Sequence, residues 1–135
     1  SDGDGTGDLK GLTQKLGYLS DLGVTAIWLN PLYASGLYHN YFADDFYAID
    51  PELGTIEDFR ALCVKAHERG IKVLLDMETQ YITTQHAWYR AAMNDMNSDE
   101  AELIAWENRA EKIPLPGFAD FREVRGHADR LVVLV

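Results

Sequence analysis

The first nine residues, SDGDGTGDL, set Asp2, Asp4 and Asp8 among glycines. Alternating carboxylates on a chain that glycine lets curl suit a hard cation such as Ca²⁺, with the Thr6 carbonyl as a further oxygen. A solvated acidic turn capping the following helix accounts for the same residues equally well. An EF-hand counted from Asp2 meets Thr13 where a bidentate glutamate belongs, so that loop is disfavoured. Farther along, Asp76 and Glu78 flank one residue. In an extended strand both would face one side, roughly 6–7 Å apart, a spacing that suits acid/base work on a sugar. The more ordinary alternative has one carboxylate accepting hydrogen bonds at a strand end and the other solvated.

Between these acidic pairs lies PLYASGLYHNYFADDFYAIDPELG, rich in tyrosine. A pyranose lays its apolar face on an aromatic ring while its hydroxyls seek acceptors. Tyr38, Tyr41, Phe42, Phe46 and Tyr47, with Asp44 and Asp45, supply both needs, although part of this aromatic set also suits a core. His39, His67, His86 and His127 show no zinc-ligand spacing, and no Ser-His-Asp triad or phosphate loop is recognisable.

The elements that must position these residues follow from periodicity. Leu9, Leu12, Leu16, Leu19 and Leu22 recur at helical steps until Gly23, and VTAIWLN follows as a buried strand closed by Pro31. The tyrosine-rich stretch shows neither helical nor alternating period and is predicted as a long functional loop. GTIEDFRALCVKAHERG is predicted as a helix opened by Thr55 and Asp58 and closed at Gly70, and IKVLLDM as the next strand. Strands apolar on both faces and alternating with helices imply a parallel sheet, in an open or a barrel arrangement. Beyond about Gln80 the rhythm changes. SDEAELIAWENRAEK is predicted as a polar helix with Ser98 as N-cap, then a proline-punctuated connector and a final strand, RLVVLV.

Composition narrows the partners. The 135 residues are 47% hydrophobic, enough to bury a core, and carry 12 basic against 22 acidic side chains for a formal charge of −10. Without a Lys/Arg cluster, neither nucleic acid nor an anionic membrane is expected as partner. No apolar run approaches the roughly 20 residues that span a bilayer. Cys63 is predicted to be a buried thiol. The start inside the candidate ion loop and the end in an apolar, β-branched run are expected of a piece of a longer protein. Extracellular, periplasmic and cytoplasmic locations all stay open.

Two ordered blocks, DGDGTGDLKGLTQKLGYLSDLGVTAIWLNPLY and YFADDFYAIDPELGTIEDFRALCVKAHERGIKVLLDM, resemble the N-terminal part of the catalytic barrel in the α-amylase family, glycoside hydrolase family 13. The resemblance implies an α/β fold: the N-terminal portion of a (β/α)₈ TIM barrel, about the first three βα units, running into a small inserted subdomain after the third strand. It places the barrel part at residues 1–92 and the subdomain at 93–135. It also implies a structural Ca²⁺ or Mg²⁺ held by Asp2, Asp4, the Thr6 carbonyl and Asp8. Tyr41 matches the tyrosine that stacks on the sugar beside the scissile bond, Asp45 the aspartate of the same loop, and Asp76 the aspartate opening the first conserved segment.

Departures begin there. Gln80-Tyr81 stands where the family commonly has Asn-His, so Tyr81 becomes a substrate-binding candidate without the charge of imidazole, and Asn40 stands where glycine is usual. The implied activity is retaining hydrolysis of α-glucosidic bonds in α-glucans or malto-oligosaccharides. Its nucleophile and acid/base are expected on later strands, outside these 135 residues, so the rest of the barrel is required and no catalytic carboxylate is assigned within the chain. The alternatives are a relative that transfers or isomerises sugars, a non-catalytic barrel homologue that binds carbohydrate or a partner, and a stand-alone calcium-binding module.

Overall fold

The computed structural model describes residue 5, residues 7–114 and residues 131–133. Asp2, Asp4 and Thr6, three of the candidate ion ligands, lie outside the described residues. Helix α1 (Leu9–Asp21) starts where the Asp8 carboxylate accepts the Gly11 N–H at 2.6 Å. A side-chain oxygen there satisfies an N–H that the first helical turn leaves free. The helix stops at Gly23, whose φ of 82° carries no Cβ penalty, and the Val24 N–H turns back to the Leu19 carbonyl at 3.0 Å.

Strand β1 (Ala26–Leu29) follows, then the short β2 (Tyr33–Ala34) and β3 (Asp45–Ile49), helix α2 (Ile56–His67) and β4 (Lys72–Leu75). Thr55 and Asp58 open α2 with the expected reciprocal cap, the Asp58 N–H reaching the Thr55 hydroxyl at 3.1 Å and the Thr55 N–H reaching Asp58 at 3.0 Å. β1 and β4 run parallel in the register Ala26↔Lys72 to Leu29↔Leu75. Leu9, Leu16, Leu62, Ala66 and Ile71 are buried between α1, α2 and this sheet, with Ile27, Leu29 and Val73 packed against them. Each such leucine contributes about 1.5–3 kcal/mol by leaving water.

Both strands were expected to be apolar and covered on two faces, but only one face is packed among the described residues: Trp28 is 70% and Leu74 45% exposed on the other. Cys63 is half-buried rather than buried, and burial pushes its thiol pKa up.

The tyrosine-rich stretch is not a structureless loop. β2 and β3 form an antiparallel ribbon, Tyr33↔Ile49 and Ala34↔Asp45, with an irregularity between the two pairs. The ribbon escapes a period-two reading because aromatics occupy both of its faces: Phe46 packs inward on Tyr33 while Tyr47 is 85% exposed.

A second, smaller cluster follows, formed by β5 (Tyr81–Thr83), α3 (Ala87–Asn94), α4 (Asp99–Glu102), β6 (Trp106–Asn108), β7 (Ile113–Pro114) and β8 (Leu131–Val133). Ile82, Ala92, Ala101 and Ile104 are its buried centre, flanked by Phe46, Trp88, Tyr89 and Trp106. β8 supplies the expected final strand, antiparallel to β5, with Tyr81↔Val133 and Thr83↔Leu131. Helix α3 was not anticipated. Ser98 does cap a helix, but α4 spans only four residues. The Trp106 indole N–H donates to the Ala101 carbonyl at 2.9 Å, the acceptor that the Ala105 N–H would use if α4 continued.

Candidate functional site

In parallel α/β folds ligands gather beyond the carboxyl ends of the strands. Those ends here are Leu29 and Leu75, and the Asp76 N–H continues the ladder by donating to the Leu29 carbonyl at 2.8 Å. This fixes the first residue after β4. The Asp76 carboxylate accepts a hydrogen bond from the Tyr41 hydroxyl at 2.7 Å across 35 residues of sequence. That bond is the first cause of the raised phenol pKa of Tyr41, with burial and the charges of Asp76 and Glu78 adding to it.

Glu78 does not join Asp76 as a facing pair. β4 ends at Leu75, so the period-two geometry that would align them is gone, and Glu78 Oε1 accepts the Gln80 N–H at 2.6 Å. Of the ordinary alternative, Asp76 shows the carboxylate that accepts a hydrogen bond at the strand end, whereas Glu78, expected to be solvated, is half-buried and accepts a backbone N–H.

Tyr81 opens β5 and is buried, its ring edge-on to Phe42 at a centroid distance of 5.7 Å. Burial, then the charge of Glu78, raises its phenol pKa. Tyr81, Phe42, Leu37 and Tyr41 form one small apolar cluster, so the two tyrosines singled out by the family resemblance belong to the same wall. Asp45 is exposed and accepts the Tyr47 N–H at 2.8 Å, whereas neighbouring Asp44 accepts the Thr83 hydroxyl and ties the ribbon to β5. Of the other aromatics, Phe42 is core, and Tyr38 and Tyr47 stand in solvent.

Three residues of the site had no role in the sequence reading. His39 accepts the Tyr41 N–H through Nδ1 at 3.1 Å and lies edge-on to Phe42 at 5.1 Å; burial lowers its pKa. Tyr33 points a hydroxyl inward that finds no hydrogen-bond partner among the described residues, and burial, then the charges of Asp76 and Glu78, raise its pKa. Asn40 is 4% exposed in a left-handed conformation, φ 56°. A local signal existed only for Asn40, since asparagine tolerates that region better than other non-glycine residues.

Asp8 is the one candidate ion ligand among the described residues. Its Oδ1 accepts the Gly11 N–H, and Gly5 has φ 88°, a conformation that glycine adopts without a Cβ penalty. The proposed donor set is all oxygen, which fits a hard cation. Among the described residues no group of three or more His, Cys, Asp or Glu side chains is placed to hold a metal.

The model of the alpha-amylase catalytic domain matches residues 1–126. Alpha-amylase 3 of Dictyoglomus thermophilum is 42% identical over 106 residues, 78% of this chain and 21% of that protein. The solved alpha-amylase of H. orenii superimposes with a TM-score of 0.74 at 44% identity, over 80% of this chain and 24% of that one. The trehalulose synthase MutB of Pseudomonas mesoacidophila MX-45 gives a TM-score of 0.74 at 36% identity, over 80% and 20%. The chain thus spans about one fifth of the length of the curated relatives it matches. Its architecture is that of the N-terminal portion of their TIM barrel, seen here as two parallel barrel strands with their helices.

Proposed function

We propose, from the premise that the chain belongs to the alpha-amylase family, that it forms the N-terminal part of a retaining glycoside hydrolase acting on α-glucans or malto-oligosaccharides. The observation that carries the reading is the Tyr41–Asp76 hydrogen bond at the carboxyl end of β4. It anchors the hydroxyl of a half-buried phenol ring that would lie against a sugar. Asp76, already bonded to Tyr41, would orient ring hydroxyls, and Tyr81 would form the apolar wall beside them. The nucleophile and acid/base expected on later strands would sit about 5–5.5 Å apart across the glycosidic bond. Neither Asp76 nor Glu78 takes those roles.

Binding of Ca²⁺ or Mg²⁺ by Asp2, Asp4, the Thr6 carbonyl and Asp8 is part of the proposal; the ion would supply cross-linking charge between the opening loop and α1. Division at residue 92 into a barrel part and a small subdomain is also part of it. The likeness to a trehalulose synthase supports a second reading, in which the same site passes the sugar to another acceptor position and not to water.

The test is kinetic, on the full-length protein that carries this chain, with maltotriose as substrate. Tyr41→Ala is expected to lower kcat/KM about a hundredfold while leaving the protein folded. Unchanged kinetics would remove Tyr41 from the sugar site. Products that keep the glucose count but change linkage would favour the second reading.

A further inference from the structure

The phenol of Tyr41 reaches Asp76 only if the backbone delivers Tyr41 at one place and angle, and the residue before it fixes both. Asn40 is buried and left-handed, φ 56°, a region most side chains enter only at a cost. Its side-chain amide donates twice: to the Tyr33 carbonyl at 2.7 Å and to Asp50 Oδ2 at 2.6 Å. Its own N–H closes a turn on the Leu37 carbonyl at 3.0 Å. Asp50 is itself held, its N–H donating to the Leu32 carbonyl and its Oδ1 accepting the Glu52 N–H, both at 2.9 Å. One amide therefore joins the turn before Tyr41 to β2 and to the end of β3.

We propose that Asn40 is a positioning residue, a buried clamp to Tyr33 and Asp50 that sets Tyr41 in reach of Asp76. The inference rests on the reading of Tyr41 as part of a sugar site. Glycine at this position would provide the backbone conformation alone; asparagine provides it together with a two-point anchor. A hydrogen bond to a carboxylate is about twice as strong as one between neutral groups, so the Asp50 contact is the stronger of the two.

The experiment uses the full-length protein carrying this chain, with maltotriose as substrate and ¹³Cζ-tyrosine labelling to follow the phenols. The Tyr41 signal is assigned by its loss in Tyr41→Phe. Asn40→Gly keeps the left-handed turn and removes the anchor, so the variant is expected to fold. It should lower kcat/KM about tenfold, and the Tyr41 phenol should titrate at lower pH as its bond to Asp76 loosens. In the Tyr41→Phe background the same substitution should cost less than about twofold, because residues that act through one another are not additive.

Asn40→Asp keeps the size and the turn but sets a carboxylate against Asp50, and should perturb the Tyr41 titration at least as much as Asn40→Gly. Multiplicative losses in the double variant, or a Tyr41 titration unmoved by both substitutions, would overturn the inference. If the unmutated protein leaves maltotriose intact, the hydrolase reading fails on that substrate, while the phenol titration still decides whether Asn40 places Tyr41.

Discussion

The two hydrophobic clusters of the chain are built by different means. The first lies between α1, α2 and the β1–β4 pair, with Leu9 and Leu16 on the long helix α1, Leu62 and Ala66 on the long helix α2, and Ile71 just before β4 as its buried members. The second lies under β5, α3 and α4, where short elements are sutured by side chains reaching backbone carbonyls: Trp106 to Ala101, Lys112 to Met93 at 2.7 Å, and Arg109 to Met96 at 2.8 Å. Regular helices satisfy their own N–H and C=O groups, so the first cluster needs only apolar faces. Elements of two to four residues leave most of those groups free, and the second cluster spends side chains on them. The site lies between the two, with Asp76 at the end of the regular part and Tyr81 at the start of the sutured one.

The largest expected effect tests whether the regular half depends on more than its apolar core. If Asp8 is an ion ligand as well as a helix cap, calcium at a hundred times its dissociation constant stabilises the fold by about 2.7 kcal/mol. Asp8→Asn keeps a capping oxygen of similar quality and weakens the cation site. The variant should therefore lose most of the calcium-induced rise in unfolding midpoint and little in chelator. Equal losses in both conditions would leave Asp8 a cap and nothing else.

A smaller effect probes the sutured half. Trp106→Phe retains a ring and removes the indole N–H that ends α4. The cost is about 1–2 kcal/mol, the loss of one hydrogen bond and some apolar area. It should appear as faster amide exchange in α3 and α4, with α1 and α2 unaffected. Exchange that quickens equally in all four helices would mean the two clusters unfold as one unit, and the contrast between them would fall.

The same contrast explains which parts the sequence made legible. α1, β1, α2 and β4 were readable because leucine periodicity, the Thr55–Asp58 cap and the glycines at 23 and 70 all act within one or two helical turns. The β2–β3 ribbon was not, since its inward and outward positions are both aromatic, and α4 was overextended because its stop comes from a tryptophan outside the helix. In the site, Tyr41, Asp76 and Tyr81 were named through family resemblance, and the structure brings Tyr41 to Asp76 and to the Tyr81 wall. The roles of Asn40 and His39 could not be read, because a hydrogen bond from Asn40 to Asp50 or from Tyr41 to His39 exists only once the turn has formed.

The smallest effect separates the clusters by pH. His86 is 2% exposed, packed against Phe46 and Trp88 at ring distances of 5.2 and 4.7 Å, and its Nδ1 accepts the Trp88 N–H at 3.1 Å as the cap of α3. A nitrogen that accepts carries no proton, so the capping form is neutral. Burial lowers the imidazole pKa, while Asp45 and Asp44 pull it the other way without reversing the direction. The unfolded chain thus takes up the proton first as pH falls. The stabilisation is complete above the unfolded value of about 6.5 and declines below it, by at most about 1.4 kcal/mol per pH unit, until the folded imidazole is protonated too. Urea midpoints between pH 7.5 and 5.5 should fall, with amide exchange in α3 quickening before exchange in α1, whose buried packing residues are Leu9 and Leu16. His86→Asn keeps a capping oxygen and removes the titration, so its midpoint should vary less over the same range. An unchanged slope would assign the acid sensitivity to surface carboxylates and leave His86 as packing alone.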